Sequence, residues 1–140
     1  VFPDEFGVRA PVAGTVARGF MPYEFPNEPE LAGEVLLNPL VPTEKNLALG
    51  KKKYDTYCSP CHGDFGDGDS RLRGQFPNPP SLHSEKVRNW SDGRIFHVIT
   101  MGQNIMPSYS SQLTREEKWA TVLYVRALER SKNAKESDLK

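Results

Sequence analysis

The 140-residue sequence has no net charge, with 18 basic side chains against 18 acidic ones. Nucleic-acid binders normally carry a clustered basic excess, so that class finds no support here. No apolar run approaches the roughly 18 residues that a membrane-spanning helix requires. Apolar residues fill only 37% of positions. A single domain of this length with so few of them has a modest core, one that something other than side chains helps to fill. No internal repeat is visible, and there are only two cysteines and three histidines. Proline is the exception to this scarcity, and it is lopsided: seven of its twelve copies lie in residues 1–43.

The two cysteines stand three apart and are followed at once by a histidine: Cys58-Ser59-Pro60-Cys61-His62. This is the C-x-x-C-H pattern of covalent haem attachment. On a helical turn, positions i and i+3 share a face, so both thiols can meet the two vinyl groups of one haem. His62, next in sequence, is then carried beneath the porphyrin to bind the iron. A thioredoxin-like redox pair would need a strand–helix–strand context, which does not surround Cys58. Zinc would need two more ligands, and His83 and His97 are too far apart for a finger. A plain disulfide stays open in an oxidising compartment. Covalent haem attachment is made outside the cytoplasm, and Val1-Phe2-Pro3 is no signal peptide, so a mature or trimmed form is expected.

Residues 1–43 read as an irregular, Pro-rich extension, because seven prolines remove backbone donors and block any long helix. Its charge is −4, so residues 44–140 carry +4. Phe2, Phe6, Phe20, Tyr23 and Phe25 argue against a disordered linker and for an arm that packs on its own domain or docks on a partner. Residues 44–130 read as an all-α module. Thr43 is the N-cap of a first helix whose Leu47, Gly50, Tyr54 and Tyr57 share one face. A second begins at Ser91, turns Ile95, Phe96 and Ile99 inward, and stops at Gly102. In the last, Thr114 and Glu117 form a capping box, Trp119, Val122, Leu123 and Arg126 make a stripe, and the end falls near Arg130. Residues 131–140 are a charged tail expected to fray. Between the first two helices, the glycines of 63–80 allow tight turns. Asp64, Asp67 and Asp69 there read as solvated turn acids, since their spacing does not match a calcium-binding hand.

The second iron ligand decides the chemistry. A His/Met haem is a high-potential electron carrier, whereas an open position binds small ligands. Met106 is favoured, in a loop that Pro107 stiffens. Met101 reads as core filling and Met21 lies in the extension, while His97 or His83 would give a bis-His haem. An iron-bound imidazole usually donates its other N–H to a carbonyl; Pro80 is expected to supply it, with Pro79 next. Trp90, Arg94 and Tyr109 are candidate donors to the haem propionates.

Together, Cys58–His62 after an amphipathic helix, Pro80-Ser81-Leu82, Met106-Pro107 and a final helix carrying Trp119 resemble class I cytochrome c. The resemblance covers roughly residues 44–130. It implies an all-α class I fold around one covalent haem c, with Leu82 lining the pocket. It also implies that the first and last helices cross, Gly50 and Tyr54 facing Trp119 and Leu123. The segment Pro11-Val12-Ala13-Gly14-Thr15-Val16-Ala17-Arg18-Gly19, with CSPCHGDFGDGDS, looks like the monohaem cytochrome subunit of bacterial alternative complex III. Such complexes are membrane quinol oxidoreductases that deliver electrons to periplasmic acceptors, and the subunit is typically a lipoprotein. The implied role is single-electron transfer, not catalysis on a substrate, in the periplasm and next to the membrane. The implied partners are the other subunits of that complex. The acceptor stays open between a soluble cytochrome c, a high-potential iron–sulfur protein and a haem–copper oxidase. A freely diffusing shuttle and a haem-based ligand binder are the rival readings.

Overall fold

A computed structural model describes residues 23–70, 72 and 79–132. Its elements are α1 (Pro29–Val35), α2 (Glu44–Lys53), α3 (Ser59–His62), α4 (Glu85–Arg88), α5 (Asp92–Met101) and α6 (Arg115–Lys132). A π-helical turn, Tyr54–Cys58, joins α2 to α3. Among the described residues the only extended pairing is an isolated bridge between Gln103 and Met106.

Local chemistry sets the helix starts. The Thr43 hydroxyl accepts the Asn46 N–H at 3.2 Å, and the Ser91 hydroxyl accepts that of Arg94 at 3.2 Å. Thr114 and Glu117 cap each other, with Glu117 N–H to Thr114 Oγ1 at 3.2 Å and Thr114 N–H to Glu117 Oε1 at 2.8 Å. This closes the reciprocal box that the sequence spells out. α5 stops at Gly102, whose φ of 76° is a conformation that glycine reaches without strain. α6 runs to Lys132, slightly past the expected end, and residues 133–140 lie outside the described residues.

α2 packs against α6. Gly50 is buried there, and a Cβ on it would lie 2.1 Å from the Ala120 carbonyl oxygen, so the two backbones nearly touch. Tyr54 packs its ring on Tyr124, centroids 5.3 Å apart. Here the sequence expectation needs correcting. Ala120 and Tyr124 meet Gly50 and Tyr54 of this crossing, and Trp119 does not. One residue along a helix turns the side chain by about 100°, and Trp119 instead stacks on Phe96 of α5 at 4.1 Å.

The stretch read as irregular contains a helix. Pro29 occupies the first turn of α1, where its missing N–H costs nothing, and Glu30 suits the positive end of the dipole. Seven prolines exclude a long helix but not seven residues of one. α1 buries Ala32 and Leu36 against α5, where Gly93 admits the Ala32 and Leu36 carbonyls. Further ties hold residues 23–38 to the module: Ser91 Oγ donates to the Gly33 carbonyl at 2.7 Å, and Asn38 Nδ2 donates to that of Trp119 at 3.2 Å. Glu24 also takes a two-pronged ion pair from Arg115 at 2.9 and 3.1 Å. The described part of the extension therefore packs on its own domain.

Candidate haem site

The π-helical turn is the first feature that shapes the site. Ser59 N–H bonds to the Tyr54 carbonyl five residues back, and Pro60, in the first turn of α3, has no N–H to satisfy. Turns of this kind frequently mark functional sites. The helix thus runs on through Cys58 and Cys61 to His62, and Gly63, at φ 84°, ends it. Both thiols are half-buried and not joined to each other. Burial pushes the Cys58 thiol up to about 12, with the Cys61 thiol adding to the effect. That is opposite to the lowered pKa of a reactive redox cysteine.

Burial also lowers the pKa of the His62 imidazole, which favours the neutral form that binds metals. Its Nδ1 is buried and makes no hydrogen bond. The bond it was expected to donate to the Pro80 or Pro79 carbonyl is not present. Pro80 is exposed, and the Pro79 carbonyl lies against Gly68, 3.0 Å from where a Cβ would stand. The backbone around His62 is instead held closely. Gly68 N–H donates to the His62 carbonyl at 2.7 Å, Gly63 N–H to that of Ser59 at 2.9 Å, and the Tyr54 hydroxyl to that of Gly63 at 2.7 Å. Tyr54 was legible only as a core aromatic, and a hydroxyl four residues before Cys58 was its one signal.

Tyr109 lies beside the thiols: burial raises its phenol, and charge on Cys58 or Cys61 would raise it further. Its ring meets Tyr57 at 6.1 Å. Trp90 and Arg94 form a separate group, the guanidinium 5.0 Å from the indole centroid and reaching Gln103 Oε1 at 3.4 Å. Leu82 is half-buried against the core and donates its N–H to Gly66 at 2.8 Å.

Met106 is half-buried in a tight loop, with mutual backbone bonds to Gln103 of 2.9 and 3.0 Å and Asn104 at φ 53°. Met101 is 39% exposed, which corrects its reading as core filling. Met21 lies outside the described residues. The rival histidines have other partners: His97 Nδ1 meets the Tyr23 hydroxyl at 2.7 Å and His83 Nε2 meets the Phe65 carbonyl at 2.6 Å. Asp67 Oδ1 accepts the Asp69 N–H at 3.0 Å, a local turn bond. Among the described residues, no three acids, histidines or cysteines gather as a metal cluster.

Two unjoined thiols on one helical face and a neutral, buried imidazole directly after them suit a covalently held haem. Cys58 packs against the apolar core, as Tyr57, Leu82 and Tyr109 do. The class of protein this defines is a c-type cytochrome. Residues 45–125 match the family described as cytochrome c oxidase, cbb3-type, subunit III, and the chain belongs to that family of cytochrome c domains. Its helical architecture is the class I cytochrome c fold, and the domain implies covalent haem c and haem-based electron transfer. Among solved structures, the chain is similar to one from the Kuenenia stuttgartiensis reducing HAO-like protein complex Kustc0457/Kustc0458, at 31% identity and a TM-score of 0.56. The match covers 64% of this chain and 46% of the other, so this chain spans less than half of that one's length. No curated protein matches it.

Proposed function

We propose that this chain is a monohaem cytochrome c subunit of a membrane quinol-oxidising assembly of the alternative complex III kind, with His62 and Met106 as axial ligands. It passes electrons, one at a time, to a periplasmic acceptor. The observation that carries the His/Met reading is that both residues sit on closely held backbone. His62 ends a helix whose backbone is tied on both sides, and Met106 sits in a short loop closed by its bonds to Gln103. Bound haem supplies the one-electron couple, and a thioether ligand favours the reduced state. The protein's own part is to hold the two ligands still and keep water out, which Tyr54, Leu82 and Tyr109 serve by packing around the motif.

Membership of an assembly is supported by the arm. Leu31, Val35, Leu37 and Val41 are 40%, 53%, 80% and 62% exposed within eleven residues. That much apolar surface on one short segment marks an interaction surface. Glu28, Glu30 and Glu34 lie alongside, so a partner strip that is apolar with basic edges fits it. The similar solved structure also comes from a protein complex. No described helix is long and apolar enough to cross a membrane, so attachment would run through the partner subunits or a lipid anchor. The acceptor would be a soluble cytochrome c, a high-potential iron–sulfur protein or a haem–copper oxidase.

The test is an optical spectrum of holoprotein together with fractionation of native membranes. A His/Met haem shows a weak far-red sulfur-to-iron band, and the native chain co-purifies in detergent with an activity that oxidises quinol and reduces an added periplasmic-type acceptor. A far-red band with the chain wholly in the soluble fraction would favour the diffusible shuttle. Rapid carbon monoxide binding at neutral pH would favour a ligand-binding haem.

A further inference from the structure

We infer that Ser108 is a positioning residue for Met106, its hydroxyl holding the ligand loop shut on the end of α5; this rests on the reading of Met106 as an iron ligand. A helix leaves its last carbonyls without partners of its own. In α5, three of them in a row are taken up by the segment that carries Met106. The Val98 carbonyl accepts the Gly102 N–H at 2.8 Å, the Ile99 carbonyl accepts the Tyr109 N–H at 3.0 Å, and the Thr100 carbonyl accepts the Ser108 hydroxyl. Residues 103–107 are thereby pinned at both ends.

The clasp is close. A Cβ on Gly102 would lie 2.5 Å from the Met106 carbonyl oxygen and 2.9 Å from the Ser108 nitrogen, so the chain around Met106 passes directly over the helix end. Pro107 has no N–H to offer, and at the next position a side chain makes the link. A serine here could serve only its own turn, and Ser108 Oγ does accept the Ser110 N–H at 3.2 Å and lies 3.0 Å from the Ser110 hydroxyl. Its proton, however, goes eight residues back to Thr100, which is 2% exposed. Thr100 is itself anchored, since its hydroxyl accepts the Lys118 ammonium of α6 at 3.2 Å. Met106 is thus tied through Pro107 and Ser108 to two helices of the module. Of the three links to α5, only this one is made by a side chain, so it alone can be removed without touching the backbone.

The test is imidazole binding to the ferric holoprotein, because added imidazole reaches the iron only where the thioether has let go. Its apparent affinity scales with the fraction of molecules whose loop is open. Ser108→Ala should raise that affinity by about two- to tenfold, the net worth of one hydrogen bond. Ser108→Thr, which keeps the hydroxyl, should stay near wild type. Thr114→Ala, which loses the cap of α6 outside the loop, should melt lower yet bind imidazole as wild type does. Wild-type affinity in Ser108→Ala, or an equal rise in Thr114→Ala, makes Ser108 a surface turn residue and overturns the inference. The side chain is exposed, so the variant is expected to fold. Should it not accumulate as holoprotein, Ser108→Val against Ser108→Thr repeats the comparison, the two differing as methyl against hydroxyl. If neither hydroxyl-free variant loads haem, the inference also falls, since positioning a methionine is not needed for attachment at Cys58 and Cys61. A wild-type ferric spectrum without the far-red band would instead remove the underlying reading, before any variant is compared.

Discussion

At the scale of single residues, the haem motif is legible because its chemistry is compressed into five consecutive positions. Two thiols and an imidazole at fixed helical offsets have few other uses, and helix geometry brings them together without help from the rest of the fold. The surroundings of His62 were not legible in the same way. Pro80 looked like the residue whose carbonyl accepts the imidazole N–H because prolines stiffen a loop, yet stiffness does not say which way a carbonyl points. Trp90, Arg94 and Tyr109 were grouped by type, and the structure separates them, placing Tyr109 by the thiols and Arg94 over the Trp90 ring with its guanidinium reaching Gln103. Met106 gives the sharpest test at this scale. Met106→Ala removes the thioether while the loop keeps its backbone bonds to Gln103, so the fold survives. The far-red band disappears, the reduction potential falls, and the ferrous protein binds carbon monoxide. If the band persists in the variant, Met106 is not the ligand.

Among the elements, helix ends were the most readable part of the sequence. Thr43, Ser91 and the Thr114–Glu117 pair all cap where a local hydrogen bond can form without tertiary help. Thr114→Ala should cost about 1 kcal/mol, as loss of an N-cap does. Urea unfolding of the holoprotein reads this directly. What the sequence hid was tertiary. α1 is seven residues long, too short for a periodic pattern, and it owes its existence to Ala32 and Leu36 meeting α5. The facing of α6 depends on a single-residue rotation that the four-residue stripe Trp119, Val122, Leu123 and Arg126 does not resolve. Gly50 is the place where that crossing can be probed. Alanine there gains about 1 kcal/mol in helix propensity. Its Cβ, however, would stand 2.1 Å from a backbone oxygen that cannot swing away. The helices must part, at a cost of about 1–3 kcal/mol for overpacking. Gly50→Ala should therefore lower the melting temperature of the holoprotein, and an unchanged or higher one would show that α2 and α6 do not meet at this glycine.

For the molecule as a whole, the issue is how firmly the arm stays on the module. Its ion pair from Glu24 to Arg115 is over 40% exposed on both sides. Pairs this exposed contribute under about 1 kcal/mol, less as salt rises. The half-buried contact between Tyr23 and His97 is the more consequential tie, and it depends on pH. Burial lowers the His97 pKa from its usual 6.5, Arg94 lowers it further, and Glu30 acts the other way. The Tyr23 phenol, raised to about 12 mainly by burial, stays a proton donor throughout. Neutral His97 Nδ1 accepts that proton. Once the pH falls below 6.5, an unfolded or undocked chain takes up a proton on His97 that the docked form resists. Stability is then complete above 6.5 and declines as the pH drops toward the lowered value, since the less folded state binds more protons in that window. His62, once bound to iron, contributes nothing there. The melting temperature of the holoprotein should therefore fall between about pH 7 and pH 5. His97→Gln should melt lower at neutral pH but lose most of that slope. If the variant kept the full wild-type slope, the arm would not be held by this titrating contact; Glu117, whose pKa is lowered from 4.5 by Lys53, would cost stability only at more acidic pH and could not supply that slope.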